Sequence, residues 1–390
     1  MTKSVCMNDK CTGCGFCEGV CPSKAITMKE SLDGFLYPQV NKSLCINCGL
    51  CTAKCSVLNN SPINNKCYRD IFAAYNIDDS IRDSSSSGGI FYLLASYVIN
   101  HGGMVYGAAL SYDCKAVQHI PVDCVSDLRR IMGSKYIQSD LRGVYPSIKV
   151  QLDAGRVILF SGTPCQIVGL KRALNKDYDN LITVDFVCHG VPSPKVWRKY
   201  ISEIEKNHCS IVKSVSFRDK RYGWKNYSLV FTLDNGTEVV ERITESPYLK
   251  GFVSNLTLRK SCYSCKFKEF NRLSDFTLAD CWGAEQFLKD INDDKGISAI
   301  IVNTEKGVAL INKLKGYIKL PLDYSAFVEH NPSFLFQPLM NYNRSVFFKG
   351  FDNHILREWL VLLNSKSSLL SRLQRKIYRM KMERTREKQG

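Results

Sequence analysis

The chain has 390 residues, of which 53 are Lys or Arg and 37 are Asp or Glu, so its formal net charge is +16. Its 45% hydrophobic content argues against a disordered chain, and no apolar run is long enough to predict a membrane-spanning helix. Eighteen cysteines, with no apolar export signal in residues 1–10, indicate metal or redox chemistry in a cytoplasmic protein rather than disulfides.

Two cysteine runs of the same spacing lie near the amino-terminal end. They are Cys11-x-x-Cys14-x-x-Cys17-x-x-x-Cys21-Pro22 and Cys45-x-x-Cys48-x-x-Cys51-x-x-x-Cys55. This repeat predicts a bacterial-type ferredoxin fold with two [4Fe–4S] clusters over residues 1–60, each run lending its fourth cysteine to the other cluster. The predicted ligands form a first set (Cys11, Cys14, Cys17 and Cys55) and a second set (Cys45, Cys48, Cys51 and Cys21). Zinc fits these triplets poorly, because zinc sites use two pairs of ligands.

Residues 61–66 are polar and predict a linker. Beyond it, the sequence predicts, in chain order, a strand at 70–76, a helix at 90–99 after a Ser-Gly loop, a strand at 103–110, a short helix at 123–131, a strand at 156–160, a helix at 167–174, a strand at 181–187, a helix at 195–206, a hairpin within 211–243, a strand at 297–303 and a helix near 308–314. This alternation predicts a mixed α/β domain containing parallel strands. We divide the domain into an amino-terminal part, 68–150, and a carboxyl-terminal part, 151–345.

Four further cysteines form a candidate third set. Cys262 and Cys265 make a C-x-x-C pair, while Cys165 and Cys188 each follow a predicted strand. The carboxyl ends of parallel strands share one edge of a sheet, so the four thiols can converge there on a third cluster. Spacing alone leaves two alternatives open, a zinc site and unconnected core cysteines.

Seven segments in one order carry a family resemblance. They are Ser86-Ser87-Gly88-Gly89, Gly133-Ser134-Lys135-Tyr136, residues 161–166, residues 185–193, Phe217-Arg218-Asp219-Lys220, Cys262-Tyr263-Ser264-Cys265 and Asp280-Cys281-Trp282-Gly283. With these segments the chain resembles, over about residues 4–345, the beta-subunit family of coenzyme F420 hydrogenases and dehydrogenases.

The resemblance implies an FAD- and iron–sulfur-dependent oxidoreductase. It implies FAD beside a [4Fe–4S] cluster in the large domain, with Cys165, Cys188, Cys262 and Cys265 as the cluster ligands. Electrons would move between the clusters and FAD, and on to a deazaflavin (coenzyme F420) or to another small or polysaccharide-pathway substrate. The alternative is a non-catalytic electron-transfer subunit of a larger redox complex. No catalytic acid, base or nucleophile is assigned.

Two short segments are the candidate FAD contacts. Their residues are Ser86, Ser87, Gly88 and Gly89, and Gly133, Ser134, Lys135 and Tyr136. Glycines ahead of a helix let backbone N–H groups face a pyrophosphate, Lys135 can balance negative charge, and Tyr136 can stack on a ring. A plain helix cap and an ordinary surface loop remain the alternatives. Because no Gly-x-Gly-x-x-Gly motif occurs, the sequence does not predict a Rossmann-type FAD site.

Other reactive residues receive weaker interpretations. Arg218, Lys220 and Arg221 lie near Trp224, which is typical either of a patch for an acidic or flavin-like substrate or of a solvated strand end. Cys281 is an alternative fourth ligand of the third set. His189 receives no role. The remaining cysteines are read as structural: Cys6, Cys67, Cys114, Cys124 and Cys209.

Residues 346–390 predict a helical basic tail. Within 371–390, eight residues are Lys or Arg, and apolar residues share one helical face. Such a helix suits a peripheral membrane or partner contact as well as a solvated terminus. We expect a redox partner protein or ferredoxin and a small-molecule substrate, and no nucleic acid, since the positive charge concentrates in the tail rather than in a recognised module. The sequence leaves open whether the chain forms oligomers.

Overall fold

A computed structural model describes residues 9–59, 68–288 and 293–365. The predicted basic tail at 371–390 lies outside these ranges, as do Cys6 and Cys67. Across the described ranges, no helix is both long enough and apolar enough to cross a membrane.

The amino-terminal module is built from two short helices and one hairpin. Its elements are α1 (Phe16–Gly19), β1 (Ile26–Glu30), β2 (Leu36–Val40) and α2 (Leu50–Ala53). Each helix begins after a glycine with φ of +74°, Gly15 before α1 and Gly49 before α2. Glycine adopts this left-handed conformation without steric cost, so each cysteine loop can turn sharply into its helix. Strands β1 and β2 are antiparallel, with Ile26 opposite Val40.

The large domain alternates strands and helices. Its elements are β3 (Asp70–Asn76), α3 (Asp79–Ser84), α4 (Ile90–Asn100), β4 (Met104–Leu110), β5 (Val117–Val122), α5 (Val144–Asp153), β6 (Ile158–Ser161), α6 (Pro164–Leu174), β7 (Leu181–Phe186), α7 (Pro194–His208), β8 (Val212–Asp219), β9 (Ser228–Leu233), β10 (Glu238–Arg242), α8 (Pro247–Val253), β11 (Phe276–Asp280), α9 (Ala284–Phe287), β12 (Ser298–Val302), α10 (Glu305–Ile311), β13 (Tyr317–Pro321), α11 (Tyr324–His330), α12 (Pro332–Leu335), α13 (Arg344–Gly350) and α14 (Leu356–Ser365). Short 3₁₀ segments occur at Val125–Arg130, Lys260–Ser264 and Phe351–Asn353.

An eight-stranded mixed sheet organises this domain. Its strand order is β13-β3-β12-β11-β7-β6-β4-β5. The four strands β4, β6, β7 and β11 are parallel, whereas β5, β12, β3 and β13 join through antiparallel pairs. A separate antiparallel sheet has the order β10-β9-β8. The predicted fold class, a mixed α/β domain after a ferredoxin-like module, is confirmed.

Helices cover both faces of the large sheet. Leu159 of β6 packs in a core with α4 and α10, whereas its neighbours Ile158 and Phe160 pack in a core with α5 and α6. Adjacent strand residues point to opposite faces, so one short strand serves both cores. A third core, around Trp197, joins α7 and α8 to the small sheet. Parallel strands buried on both faces leave their carboxyl ends as the accessible edge.

Most predicted elements appear with shifted ends. Helix α6 begins at Pro164 rather than 167, and the predicted helix at 123–131 is a 3₁₀ segment, Val125–Arg130. The predicted hairpin is β9–β10, with β8 as its third strand. The sequence interpretation missed β1, β2, β5, β11 and β13, strands of five or six residues whose apolar pattern is too short to stand out.

Candidate iron–sulfur centres and cofactor cavity

The structure brings the first cysteine set together. Burial raises the pKa of the Cys14 thiol to about 11, and the nearby Cys11 and Cys55 raise it further. Burial also raises the pKa of Cys17 strongly, with added contributions from Cys14, Cys11 and Cys55. Like charges raise one another's pKa only at short range, so these four thiols are neighbours.

The second set converges in a more open place. Burial raises the pKa of the Cys51 thiol, and Cys48, Cys21 and Cys45 raise it further. Cys48 is exposed, whereas Cys11 of the first set is buried. Cys55 therefore lies near the first set and Cys21 near the second, and the exchange of these two ligands between clusters stays a prediction.

Two parallel strands and a capped helix position half of the third set. Cys165 lies in the first turn of α6, which follows β6 and starts with a capping box between Thr163 and Gln166. Cys188 follows β7, the parallel neighbour of β6. Cys262 and Cys265 lie in and just after the 3₁₀ segment Lys260–Ser264.

The four thiols of the third set act on one another. Burial raises the pKa of Cys188 to about 11 and that of Cys262 to about 12. Cys265 adds to both rises, and Cys188 adds to that of Cys262. Burial raises the pKa of Cys165 well above its usual value, with contributions from Cys265 and Cys188. These mutual effects indicate that the four thiols lie near one another, and a cluster bound by them stays a prediction.

The first and third sets are adjacent. Cys14 contributes to the raised pKa of Cys165. Tyr145 donates its hydroxyl hydrogen to the carbonyl oxygen of Cys14 (2.7 Å) or of Gln166 (3.0 Å), both of which lie within reach. A methyl group placed on Gly169 of α6 would lie 3.2 Å from Cys14 Sγ. The ferredoxin loop therefore rests directly on the helix that carries Cys165.

The remaining cysteines lie elsewhere. Burial raises the pKa of Cys281 to about 12, and the charges acting on it are Asp280 and Glu285 rather than the third-set thiols. Cys281 packs in an apolar core, so its place does not support the alternative that it is a fourth ligand. Cys114 is also buried, whereas Cys124 and Cys209 are exposed. In the ranges that the structure describes, no three His, Cys, Asp or Glu side chains are close enough to hold a single metal ion.

A cavity of about 530 Å³ opens beside the third set. Its wall includes the two predicted FAD segments, the start of α6 and the residues after β7 and β11. Seven of the eight predicted FAD contacts line it: Ser86, Ser87, Gly89, Gly133, Ser134, Lys135 and Tyr136. Its size falls within the range of about 300–1,000 Å³ typical of ligand sites.

Gly88 is the predicted contact that packs away from the wall. A methyl group there would lie 2.5 Å from the carbonyl oxygen of Ala74, so this glycine allows close packing against β3. Ser134 donates to Ser86 across the cavity wall (2.8 Å), which ties the two loops together. Gly89, with φ of +81°, begins the eleven-residue helix α4, whose amino-terminal end lines the cavity.

Two cations lie in the wall. Burial lowers the pKa of the Lys135 ammonium to about 7, and this group donates to the carbonyl of Met132 (2.5 Å). Burial would also lower the pKa of Arg218, but the ion pair with Asp280 (2.7 Å) outweighs it and raises the pKa. Among the described residues, Nε and Nη2 of Arg218 find no hydrogen-bond partner. The wall therefore keeps donor capacity for an anionic ligand.

The predicted basic patch divides by role. Arg218 lines the cavity with its guanidinium 5.4 Å from the Trp282 ring, and Trp282 stacks on Trp224 at 4.7 Å. Lys220 instead donates to the carbonyl of Ser87 (2.9 Å) and so supports the serine loop. Arg221 pairs with Asp219 and Glu238 at the surface.

The wall continues into the third set through Cys188, His189 and Gly190. Both His189 nitrogens are held, Nε2 by Asn255 (2.6 Å) and Nδ1 by Ser333 (3.2 Å). Lys268 donates to the carbonyl of Cys188 at 2.7 Å.

The sequence interpretation missed five residues of the cavity wall: His119, Gln166, Asp280, Trp282 and His330. A motif signalled Asp280 and Trp282, whereas folding alone brings in His119 and His330.

Comparisons with known proteins agree with this arrangement. Residues 155–322 match the family described as the C terminus of the coenzyme F420 hydrogenase/dehydrogenase beta subunit, and residues 10–58 match a 4Fe-4S dicluster domain. The ferredoxin-type protein NapF from three Escherichia coli strains is 36% identical over 52 residues. That match spans 13% of this chain and 32% of NapF, about a third of its length.

A chain of the F420-reducing [NiFe] hydrogenase complex from Methanosarcina barkeri, solved as a xenon derivative, aligns with a TM-score of 0.45 and 15% identity. The alignment covers 68% of this chain and 90% of that one. The chain is thus an iron–sulfur protein that joins a 4Fe-4S dicluster domain, at residues 10–58, to a domain at residues 155–322 that matches the C terminus of the coenzyme F420 hydrogenase/dehydrogenase beta subunit.

Proposed function

We propose that the chain is an iron–sulfur flavoprotein oxidoreductase. Its three cysteine sets would hold three [4Fe–4S] clusters, and its cavity would hold FAD beside the third set. One observation carries this proposal. Cys188 lines the cavity, and the first-set thiol of Cys14 contributes to the raised pKa of the third-set thiol of Cys165. Cavity, third set and first set therefore form one continuous series.

The donor sets fit iron–sulfur clusters chemically. Thiols with pKa values of about 11 or 12, such as Cys14, Cys188 and Cys262, would be protonated at neutral pH. A bound metal cation keeps such sulfurs as thiolates and offsets the cost of burying them. Four mutually repelling thiolates in each set give the ligand number that a [4Fe–4S] cluster requires.

The cavity fits a dinucleotide cofactor. The helix dipole of α4 favours a phosphate at Gly89, and Lys135 and Arg218 offset negative charge. A methyl group on Gly133, which has φ of +77°, would meet nothing within 4 Å, so this backbone leaves room for a ligand. When bound, FAD supplies the exchange of an electron pair with a substrate for single electrons at the clusters.

The protein's own residues orient these groups. Asp280 holds the Arg218 guanidinium in the wall, Lys220 holds the loop at Ser87, and Lys268 holds the chain at Cys188. The second set is the more exposed one, so we place a redox partner protein or ferredoxin there. At the cavity we propose a deazaflavin, or another small or polysaccharide-pathway molecule, as the substrate.

Composition tests this proposal directly. Protein purified under anaerobic conditions should contain about twelve irons, as many sulfides and one FAD, since each cluster holds four irons. In Cys188→Ser protein, iron should fall towards eight while the ferredoxin module keeps its own. Bound zinc without flavin would contradict the proposal.

A non-catalytic electron-transfer subunit is the competing function, and the dicluster domain alone is compatible with it. The two differ in whether a small molecule reacts without a partner protein. Anaerobic mixing with reduced deazaflavin should bleach the bound flavin in the isolated protein. If bleaching requires an added partner protein, the subunit role is correct.

A further inference from the structure

Arg259 is a fully buried arginine between the ferredoxin module and the large domain, with 0% of its surface exposed. Its Nε donates to the carbonyl of Cys11 at 2.7 Å. Its Nη1 donates to the side-chain oxygen of Gln138 (2.9 Å), and its Nη2 to the carbonyl of Leu36 (2.9 Å). The guanidinium also lies 4.2 Å from the ring centre of Tyr37.

Arg259 differs from the other buried arginines in the groups that its guanidinium contacts. Four of these form ion pairs: Arg82 with Asp293, Arg218 with Asp280, Arg272 with Asp185 and Arg344 with Asp33. The three hydrogen bonds of Arg259 instead end on neutral oxygens. Burying a cation is costly unless a negative group lies nearby, so its surroundings must supply one.

The cysteine ligands of the first set are one source of negative charge, and Asp33, whose pKa the charge of Arg259 acts to lower, is another. A methyl group on Gly13, between Cys11 and Cys14, would lie 2.7 Å from Arg259 Nη1, so the guanidinium packs against this loop. On its other side, the carbonyl of Arg259 accepts a hydrogen bond from the N–H of Cys262 (3.0 Å). Its charge also acts to lower the pKa of the Cys262 thiol. One residue thus contacts a ligand loop of the first set and a ligand of the third.

We propose that Arg259 is a positioning residue for electron transfer between the third and first sets. It fixes the Cys11 loop against the Cys262 loop, and its charge balances that of the first-set cluster. This inference rests on the proposed function, because it requires both sets to hold iron. The step it serves moves one electron: one cluster is oxidised, the other is reduced, and no bond or proton changes.

The charge gives a measurable consequence. A reduced [4Fe–4S] centre is more negative than the oxidised one, so a buried cation beside it stabilises the reduced form and raises the reduction potential. In Arg259→Gln protein, a ferredoxin-module signal should therefore titrate at a lower potential. In Arg259→Lys protein, which keeps the charge but loses the fork of donors, the potential should stay closer to that of the wild type.

The experiment is a redox titration of anaerobically prepared protein, followed by electron paramagnetic resonance and iron analysis. The matched control is the double variant Asp293→Asn with Arg82→Gln, which removes a buried arginine outside the ferredoxin module together with its carboxylate. This control should leave the module potentials unchanged, because the local net charge is conserved. Reduction of the module from the flavin should also slow at least several-fold in Arg259→Gln protein.

The outcomes separate clearly. Full iron content with unchanged potentials in Arg259→Gln protein would overturn the proposal. If that variant loses iron, Arg259→Lys decides: restored iron and potential support the proposal, and equal loss in both variants refutes it. Failure of the proposed function is a different result, namely wild-type protein without iron in the third set or without flavin.

Discussion

Lys135 and Arg218 place two cations in the cavity wall, and their charges are held differently. Asp280 keeps Arg218 charged at any ordinary pH, whereas burial lowers the pKa of Lys135 to about 7. Lys135 therefore carries its charge below pH 7 and loses it above. The affinity for a ligand with a pyrophosphate should depend on this change, because the protonated ammonium attracts the anion.

Flavin binding should accordingly depend on pH. For protein stripped of flavin, FAD should bind up to about fivefold more weakly at pH 8 than at pH 7, because about half of the Lys135 side chains are protonated at pH 7 and about a tenth at pH 8. Lys135→Met protein should bind weakly throughout, with a flat profile. Quenching of FAD fluorescence measures both. If the FAD affinity of Lys135→Met protein still fell with pH as in the wild type, a group other than Lys135 would cause the pH dependence.

Helix α6 of the large domain packs against the ferredoxin module at Gly169. A methyl group on Gly169 would lie 2.9 Å from the Tyr145 hydroxyl and 3.1 Å from Cys14 Cβ. Contacts at these distances force neighbours to move. The absence of a side chain at this position thus lets the first set approach Cys165.

This close approach predicts the effect of enlarging the glycine. At an open helix position, Gly→Ala stabilises by about 0.5–1 kcal/mol. Here Gly169→Ala should be destabilising and Gly169→Val more so, by about 1–3 kcal/mol, with loss of iron from the first set. Thermal unfolding and iron analysis report the two effects. A higher melting temperature for Gly169→Ala would show that the contact imposes no constraint.

At this scale the sequence predicts some features and hides others. Cysteine spacing predicts each ferredoxin set, because short loops must place their thiols around one centre. The exchange of Cys21 and Cys55 between sets also follows from the repeat. The short strand β13 escapes prediction because its partner, β3, is distant in the sequence, whereas β5 pairs with the preceding strand β4 and is missed because it is short. Gly88 belongs to a predicted cofactor motif, yet it packs against Ala74 of β3.

At the scale of the whole molecule, the three sets differ in burial. The third set borders the cavity, the first touches the third, and the second is the most open. Around the second set, Ile46 is 65% exposed, and no Asp or Glu occurs in residues 34–69. Strand order in the sheet could not be read from sequence, and it is this order that places Cys165 beside Cys188.

The open face around the second set should receive an acidic electron carrier. The probe is a purified, reduced acidic bacterial ferredoxin. The Ile46→Glu variant should slow its reduction of the ferredoxin module several-fold, because the new carboxylate repels the acidic carrier and an apolar contact is lost. Reduction by dithionite should be unchanged. The matched control is Ile318→Glu on β13, an isoleucine 40% exposed outside the module. Equal effects of the two variants would place the carrier elsewhere.

In the proposed function, electron flow from the cavity to the ferredoxin module depends on the third set. The most direct measurement is freeze-quench electron paramagnetic resonance after light-driven reduction of the bound flavin. Wild-type protein should develop the signals of reduced clusters in the module. A Cys165→Ser, Cys188→Ser protein that retains flavin and about eight irons should not develop them on the same timescale. Unimpaired reduction of the module in that variant would contradict this route.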